Sequence, residues 1–479
     1  MVLLGSGWFS VFWMPDGEII SRPIAHIPWS SRIESNYPSC NPMKFRGLID
    51  RFSLLSRGTV YLLANILVAV IPFLLLPVLT HWLSPEEFGR AALYFVVVTI
   101  LLPILGLNLH GVVSVRYFQQ SQDYLARYIG ILLVIVLISW IFWIALLWSF
   151  STFWFQITGL NIGWLSVAVT VVALQTVVNI GLALQQARER AIEYARIQVC
   201  QAVIMGLLTW IFLVYMHLGW ESRPLGQLLA LGAVVIWLTA KLTMESWIHL
   251  SSFEWREQAK DAIKFGVPLI PHALAGVAVA TGGQIMIKSE FGEYDVGLYA
   301  VSFQFGAAFG LIADAFVKAY GPWLYKKMAE GSSDSMTSIV LASYLIFFIF
   351  IVLGLVFWAS VVAVFPWIVG AEFQQAASLI AYFAAGGVFL GMYFTVAGFF
   401  FFGSKTHLIS VITILSGVIG LLLMYWFGKV WGLSGYAAGY AASQLMNFLL
   451  AWILARKVYP LPWFDLKNIR SFLADNPTG

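Results

Sequence analysis

Asp314 and Lys318 are two charged residues that lie inside one long apolar run of the chain. A charged side chain inside a bilayer is energetically costly, so an ionisable residue in such a run is a candidate functional group. Asp314 is the only acid well inside an apolar run, and Lys318 follows it on the same helix face. Two interpretations remain open. The two side chains form a local pair near the inner end of the helix, with Lys318 extending to the headgroups, or they are functional, with Asp314 taking part in ion coupling or the pair gating the inner mouth.

Neutral polar side chains inside the apolar runs form a second set of candidates. Such side chains often hydrogen-bond between helices, and a polar cavity would also need them. The set comprises Asn65, Gln175, Asn179, Gln284 and Gln304. His272 is a further candidate because it follows Pro271, and carbonyl groups released by proline offer it a structural hydrogen bond. The alternative for His272 is a role in proton-linked transport or a contact with the substrate.

Twelve apolar runs carry these residues, and each run is long enough to cross a bilayer as a helix. A soluble domain has about 25% charged residues, whereas this chain has 10% charged and 60% apolar residues. A spanning helix needs roughly 20 apolar residues, and barrel strands would alternate polar and apolar residues, which these runs do not. We therefore predict an all-α polytopic membrane protein with helices at residues 58–79, 88–110, 128–150, 163–186, 197–217, 224–248, 262–287, 297–320, 338–364, 375–402, 407–428 and 433–455.

The cationic residues predict the orientation of these helices. If the first run exits outward, 21 of the 27 Lys and Arg lie in the inner gaps and tails, and two more lie in an N-terminal extension. The outer gaps hold Arg90, Arg223, Lys288 and Lys429. Short basic segments stay on the cytoplasmic side, so both termini are predicted to be cytoplasmic. The net charge of +4 then reflects the inner loops, and no nucleic-acid partner is expected.

A charged gap at residues 249–261 divides the chain into two sets of six runs. The segments Leu83–Gly89 and Phe291–Gly297 are both acidic turns closed by Gly at a helix start, 208 residues apart. An even number of helices in each half relates the halves by an axis along the membrane normal. We predict four parts: an extension at residues 1–50 that is disordered or a misassigned start, an N-lobe at 51–250, a C-lobe at 251–456 and a cytoplasmic tail at 457–479.

Prolines interrupt the first and the seventh run, which correspond in the two halves. These residues are Pro72, Pro77, Pro268 and Pro271. Proline removes a helical hydrogen bond and bends the helix. Interrupted segments at corresponding positions indicate a moving region that lines a site. The alternative is that proline is simply tolerated in membrane helices.

Several kinds of site are missing from the sequence. Cys40 and Cys200 are the only cysteines, which gives neither a disulfide framework nor a metal site. The chain has no Gly-x-x-x-x-Gly-Lys-Ser/Thr loop for nucleotide phosphates and no His-Glu-x-x-His metal motif. We therefore expect no metal and no cofactor.

Five ordered motifs resemble the Wzx-type polysaccharide flippases of the multidrug/oligosaccharidyl-lipid/polysaccharide exporter superfamily. The motifs are Leu76–Gly89, Gly106–Phe118, Phe265–Leu274, Ala319–Lys327, and Gly391–Tyr393 with Ser404–Thr406. The resemblance covers about residues 50–456 and implies twelve helices in two lobes around a central cavity. The sequence departs from the family late in the seventh run, where many relatives carry an Asp-Arg pair and this chain has Gly283-Gln284.

The resemblance also implies a cargo and a location. The cargo is an oligosaccharide on undecaprenyl pyrophosphate, moved from the cytoplasmic to the periplasmic leaflet of a bacterial inner membrane. The product is a surface polysaccharide such as a lipopolysaccharide O-antigen or an exopolysaccharide. The implied partners are this lipid-linked substrate, membrane lipids and the polysaccharide polymerase machinery.

A pyrophosphate entering from the cytoplasm suits cations at the inner mouth, because Arg forks onto phosphate oxygens and Lys acts as a point charge. His110 corresponds to Lys318 across the 208-residue offset, and Arg116 follows at the inner end of the second run. Alternatives are a cytoplasmic anchor for Arg116 and a packing role for His110. The predicted substrate-binding residues are His110, Arg116, Lys318, Gln175, Asn179, Gln284 and Gln304.

Other functions remain open from the sequence. An exporter of small cationic drugs would need acids in its cavity, and the run interiors offer only Asp314. A membrane glycan polymerase would need a large outer loop, and the outer gaps are short, so we do not expect an enzyme. A structural or assembly protein is a further alternative. For the transport function, coupling to an H⁺ or Na⁺ gradient through Asp314 or His272 is the hypothesis for the energy source.

Overall fold

The computed structural model describes residues 42–250, 254–403 and 405–463, and this part is helical throughout, with no strand. The predicted extension lies outside the described residues up to residue 41, and the tail lies outside them from residue 464. The helices are α1 (Pro42–Trp82), α2 (Pro85–Gly106), α3 (Leu109–Arg116), α4 (Gln122–Ser149), α5 (Ser151–Thr158), α6 (Ile162–Ala187), α7 (Ala191–Val214), α8 (Ser222–Met244), α9 (Trp255–Gly266), α10 (Ile270–Phe291), α11 (Glu293–Glu330), α12 (Ser333–Ile368), α13 (Ile380–Phe402) and α14 (Thr406–Val458).

Eleven helical stretches of the described chain are long and apolar enough to cross a membrane, judged by length and composition. The last of them contains Gly432, whose φ of 61° is readily adopted only by glycine. The two segments of α14 on either side of Gly432 pack antiparallel. Ser416 bonds to Asn447 at 3.1 Å, and Gly439 lies against the backbone of Met424. Counting these segments separately gives twelve crossings, which confirms the predicted all-α membrane fold.

The second predicted run is divided where the apolar pattern gave no break. Leu107 and Asn108 both adopt left-handed backbone angles, with φ of 48° and 50°, and they separate α2 from α3. Asparagine tolerates this conformation better than most residues, whereas leucine is strained in it. The short helix α3 therefore takes its own direction at the inner end of the bundle.

The seventh predicted run begins earlier in the structure than the sequence predicts. There it starts as α9 and passes through a 3-10 turn at Val267–Leu269 into α10. Pro268 lies in this turn and Pro271 in the first turn of α10, where the missing N–H breaks no helical hydrogen bond. By contrast, Pro72 and Pro77 both lie inside α1.

Corresponding helices pack in corresponding ways in the two halves. In the N-lobe, α1 packs on α7, and α6 contacts both α2 and α4. In the C-lobe, α10 packs on the first segment of α14, and α13 contacts both α11 and α12. Each lobe also has its own apolar core. The predicted arrangement of two pseudo-symmetric six-helix lobes is confirmed.

The two lobes meet where α2 and α11 begin, and we call this the outer end of the bundle. A Cβ atom on Gly89 would lie 1.9 Å from the carbonyl oxygen of Glu293, and one on Gly297 would lie 2.0 Å from that of Pro85. Both residue pairs are related by the 208-residue offset, so the contact is reciprocal. We call this contact the glycine seam. It fits a twofold pseudo-axis that passes between the two glycines.

Two further helices join the lobes beside the glycine seam. The outer half of α1 shares an apolar cluster with α11 and α12, and Phe73 of α1 packs edge-on against Phe305. On the other side, α10 packs on α2, whereas α9 packs on α3 and α4. The first helix of each half therefore touches both lobes.

Candidate functional site

Arg116 lies at the C-terminal end of α3 and is bound to a carboxylate of α9. Its Nη2 donates to Asp261 Oδ1 at 2.7 Å and its Nε donates to Oδ2 at 3.0 Å. The Tyr128 hydroxyl donates to the same carboxylate at 2.8 Å. Hydrogen bonding to Asp261 raises the pKa of Arg116 above its ordinary value, because the carboxylate stabilises the charged guanidinium. Arg116 therefore holds α9 on the N-lobe in this conformation.

The other members of the predicted phosphate site lie on separate elements. His110 is half-buried in α3, six residues before Arg116. Lys318 lies in α11 of the other lobe, and its side chain is outside the described residues. Asp314 is half-buried one turn earlier and already interacts with a neighbouring group. The prediction that these three residues bind phosphate thus involves both lobes.

A hydrogen-bonded amide network lies between α6 and α7 of the N-lobe. Gln175 Nε2 donates to Asn179 Oδ1 at 3.0 Å, and Gln201 Nε2 donates to Gln175 Oε1 at 2.9 Å. Gln175 and Asn179 are half-buried, whereas Gln201 is buried. The structure thus brings together two of the predicted polar residues and adds Gln201, which the sequence analysis missed although it too lies in an apolar run.

The remaining polar candidates do not join this network. Gln304 of α11 donates through Nε2 to the carbonyl oxygen of Pro72 at 2.9 Å, which ties the C-lobe to α1. Gln284 is buried in α10. His272 is half-buried in the first turn of α10 and interacts with a neighbouring group.

Asp261 is the main residue of this region that the sequence analysis did not single out. It closes the charged gap that was used only as a boundary between the halves. Its partner Arg116 is 145 residues away in sequence, and no local pattern connects the two. Within the described ranges, no cluster of three or more His, Cys, Asp or Glu side chains could hold a metal ion.

Comparison with known proteins gives relatives in sequence and in fold. The chain is 25% identical over 376 residues to protein 1 of the Lsg locus of Haemophilus influenzae, covering 76% of this chain and 88% of the relative. It is 26% identical over 291 residues to an uncharacterised membrane protein of the same organism, covering 58% of this chain and 67% of the relative.

Two solved structures share the fold at low sequence identity. An inward-facing multidrug resistance MATE family transporter of the MOP superfamily matches with a TM-score of 0.67 and 14% identity, over 81% of this chain and 94% of the transporter. The lipid II flippase MurJ in an inward closed conformation matches with a TM-score of 0.67 and 12% identity, over 88% of this chain and 91% of MurJ.

A family-level match accounts for the larger part of the chain. The family described as "Polysaccharide biosynthesis protein" matches residues 54–328. This range includes the whole described N-lobe from residue 54, the glycine seam and most of α11. With more than half of its length matched, this multi-pass membrane protein belongs to the polysaccharide biosynthesis protein family and has the fold of the MOP superfamily.

Proposed function

We propose that this protein moves an oligosaccharide linked to undecaprenyl pyrophosphate from the cytoplasmic to the periplasmic leaflet of a bacterial inner membrane. The protein does this by alternating access between its two lobes and supplies the cargo for surface polysaccharide synthesis. The activity moves the cargo without breaking a covalent bond. The partners we propose are the lipid-linked cargo, membrane lipids and the polymerase machinery that uses the cargo.

The observation that carries this proposal is the reciprocal contact of Gly89 and Gly297. It joins two pseudo-symmetric lobes at the outer end, whereas towards the inner end α9 of the second half packs on α3 and α4, and α11 packs on α12 and α13 within the C-lobe. Two rigid lobes that meet at one end of an axis can rock to meet at the other end. Membership of the polysaccharide biosynthesis family supports a glycan cargo.

The amide network of the N-lobe fits such a cargo. Gln175, Asn179 and Gln201 offer both N–H donors and carbonyl acceptors, which is the chemistry that sugar hydroxyl groups require. In the structure these groups bond to one another, and sugar hydroxyls can replace the internal bonds without leaving a buried group unpaired. The pyrophosphate meets the cations of α3 and α11.

The units that move are the two lobes, which we place at residues 51–250 and 251–456, with residues 457–479 as a cytoplasmic tail. Both termini face the cytoplasm in this proposal, because 21 of the 27 Lys and Arg then lie on the inner side.

Deletion of the gene tests the function directly. We expect lipid-linked oligosaccharide to accumulate on the inner leaflet of the deletion strain and surface polysaccharide to fall. A plasmid copy of the gene restores both. An unchanged distribution of the lipid-linked oligosaccharide between the leaflets rejects the proposal.

A drug exporter is the second candidate because the MATE transporter has the same fold. This alternative predicts that the deletion strain becomes more sensitive to cationic drugs and keeps its surface polysaccharide. Measuring drug sensitivity in the same strain therefore separates the two functions.

A further inference from the structure

Four cations lie at the outer end of the bundle, and three of them have polar partners. Arg90 pairs with Glu293 at 2.9 Å, and Lys429 pairs with Glu290 at 2.6 Å. Lys288 donates to the carbonyl oxygen of Thr158 at the end of α5. Arg223 is the exception. Within residues 42–250, 254–403 and 405–463, its guanidinium contacts aromatic rings and has neither a carboxylate partner nor a hydrogen-bond acceptor.

The aromatic rings place the Arg223 guanidinium against α2. Its guanidinium carbon lies 5.7 Å from the ring centre of Phe88 and 4.7 Å from that of Phe95. At a rise of 1.5 Å per residue, Phe88 and Phe95 lie roughly 5 Å and 15 Å along the axis of α2 from its first residue, Pro85. Arg223 belongs to the first turn of the spanning helix α8, and its side chain is half-buried. The charge therefore lies against the outer part of α2.

An aromatic surface stabilises an arginine but does not replace a hydrogen-bond acceptor. Cation–π contacts contribute about 0.5–2 kcal/mol, and the five N–H groups of the guanidinium still need acceptors. The two rings supply no oxygen acceptor, and the planar fork of an arginine suits two oxygens of a phosphate group.

The acidic residue that precedes Phe88 in α2 has another role. Glu87, which precedes Phe88, accepts a hydrogen bond from the backbone N–H of Ser84 and completes the capping box of α2. Phe88 itself packs edge-on against Phe373 of the C-lobe, 5.6 Å between ring centres. Arg223 is thus one aromatic ring away from the contact between the lobes.

We propose that Arg223 is an anion-binding residue that takes a phosphate of the cargo pyrophosphate at the outer end of the transport route. The identity of the cargo rests on the function proposed above. In this inference the pyrophosphate first meets the inner cations and later Arg223, next to the seam that must open for release. Arg223 thereby gives the outer end a binding group that three neighbouring cations, already paired, do not supply.

The test measures anion binding by purified protein in detergent. Melting temperatures of wild type, Arg223→Gln, Arg223→Lys and Lys429→Gln are compared in inorganic pyrophosphate and in NaCl of equal ionic strength. A ligand that binds the folded state raises the melting temperature. We expect pyrophosphate to raise it for wild type and for Lys429→Gln, less for Arg223→Lys, and not for Arg223→Gln. Lys429→Gln is the matched control because it removes an outer cation that is already paired.

Three results overturn the inference. These are no shift in wild type, an equal shift in Arg223→Gln, and a shift produced only by added phosphatidylglycerol, which would assign the site to a phospholipid headgroup. If Arg223→Gln does not fold, Arg223→Lys decides, since it keeps the charge and loses the planar fork; a shift equal to that of wild type rejects the site.

This result is independent of the leaflet assay. A pyrophosphate shift that disappears in Arg223→Gln, together with normal cargo distribution in the deletion strain, keeps the anion site and rejects the flippase function. The reverse combination keeps the flippase function and rejects the anion site.

Discussion

Arg116 has two possible partners, the Asp261 carboxylate that it binds in the structure and the phosphate that the sequence predicts for it. Both groups offer a guanidinium two oxygens in one plane. We therefore propose that Arg116 exchanges one for the other when cargo arrives, and that this exchange releases α9 from α3. Mutation of both members of the ion pair can separate the two roles.

Exchanging the two charges is the first prediction. Arg116→Asp or Asp261→Arg alone places like charges side by side and should lower stability by about 0.2–1 kcal/mol, a modest amount because both side chains are partly exposed. The double variant Arg116→Asp/Asp261→Arg should recover the melting temperature but not polysaccharide export, because an acid at position 116 repels phosphate. Recovery of export by the double variant would assign Arg116 to helix contact alone.

Loss of the intramembrane acid is the second prediction. Asp314→Asn keeps the size of the side chain and removes its charge, so transport into vesicles should no longer respond to an imposed proton or sodium gradient. His272→Gln serves as a comparison, because it tests the other ionisable group proposed for coupling. If wild-type transport ignores both gradients, neither residue couples an ion.

The sequence identifies the polar residues within the spans, but it does not predict which of their side chains contact one another. Gln175 and Asn179 are one turn apart on α6, so their contact follows from helical spacing. The third member of the network comes from α7, and its side-chain direction depends on how α6 and α7 cross. Asp261 and Arg116 are similarly joined only by the packing of α9 on α3.

At the scale of the helices, the starts of α2 and α11 determine how closely the lobes approach. Both are acidic turns closed by a glycine, and the sequence repeat that identified them is also the repeat that places them against each other. A side chain on either glycine would collide with a backbone carbonyl, which cannot rotate away. The glycine seam therefore requires glycine for steric reasons, independent of any conformational freedom.

The third prediction concerns Gly89→Ala and Gly297→Ala. Each added methyl group would meet a carbonyl oxygen at about 2 Å, and overpacking of this kind costs typically 1–3 kcal/mol. The cost falls on the conformation that is closed at the outer end, so the population should shift towards outer opening. The measurement is the reaction of an engineered Ala92→Cys, on α2 beside the seam, with a maleimide that does not cross the membrane, in a background lacking Cys40 and Cys200.

Gly232→Ala is the matched control for this experiment, because a Cβ at that position of α8 has no atom within 4 Å. We expect fast labelling at position 92 in the two seam variants and slow labelling in the control and the wild type. Equal labelling in all four proteins would mean that the glycine seam does not set the conformational equilibrium.

The apolar runs predicted the number and order of the membrane crossings but not where the helices break. The left-handed pair Leu107 and Asn108 occurs within an apolar run, directly after Gly106 at the end of α2. It is held by tertiary contact, since Gly266 lies against the carbonyl oxygen of Leu107. A break enforced by a helix from the other half of the chain is not visible in local sequence.

At the scale of the whole molecule, one twofold pseudo-axis relates the lobes. An even number of crossings in each half makes this axis run along the membrane normal, and the reciprocal contact of Gly89 with Gly297 agrees with such an axis. The even number of crossings in each half also determines which helix ends lie on the same side of the membrane. Orientation then depends only on which side holds the cations.

The fourth prediction tests this orientation with reporter tags. Asn161 caps the start of α6, close to Gly159, which lies against Lys288 at the outer end. Glu330 ends α11, a 38-residue helix that begins at the glycine seam and is long enough to reach the opposite side at 1.5 Å per residue. A tag at Asn161 should therefore report the periplasm, and a tag at Glu330 the cytoplasm.

The two tags must be judged in proteins that still support polysaccharide export, so that a misfolded fusion is not scored. Tags in the same compartment would break the alternation of helices on which the twofold axis depends. Tags in opposite compartments with the assignments reversed would agree with the twofold axis but would mean that the protein has the inverted orientation in the membrane. The inner cations would then face the periplasm, and a phosphate entering from the cytoplasm would meet the paired outer cations and Arg223 first. Only one orientation places the cation-rich end on the side from which the pyrophosphate enters. The compartments of the two tags therefore decide the direction of transport that we propose.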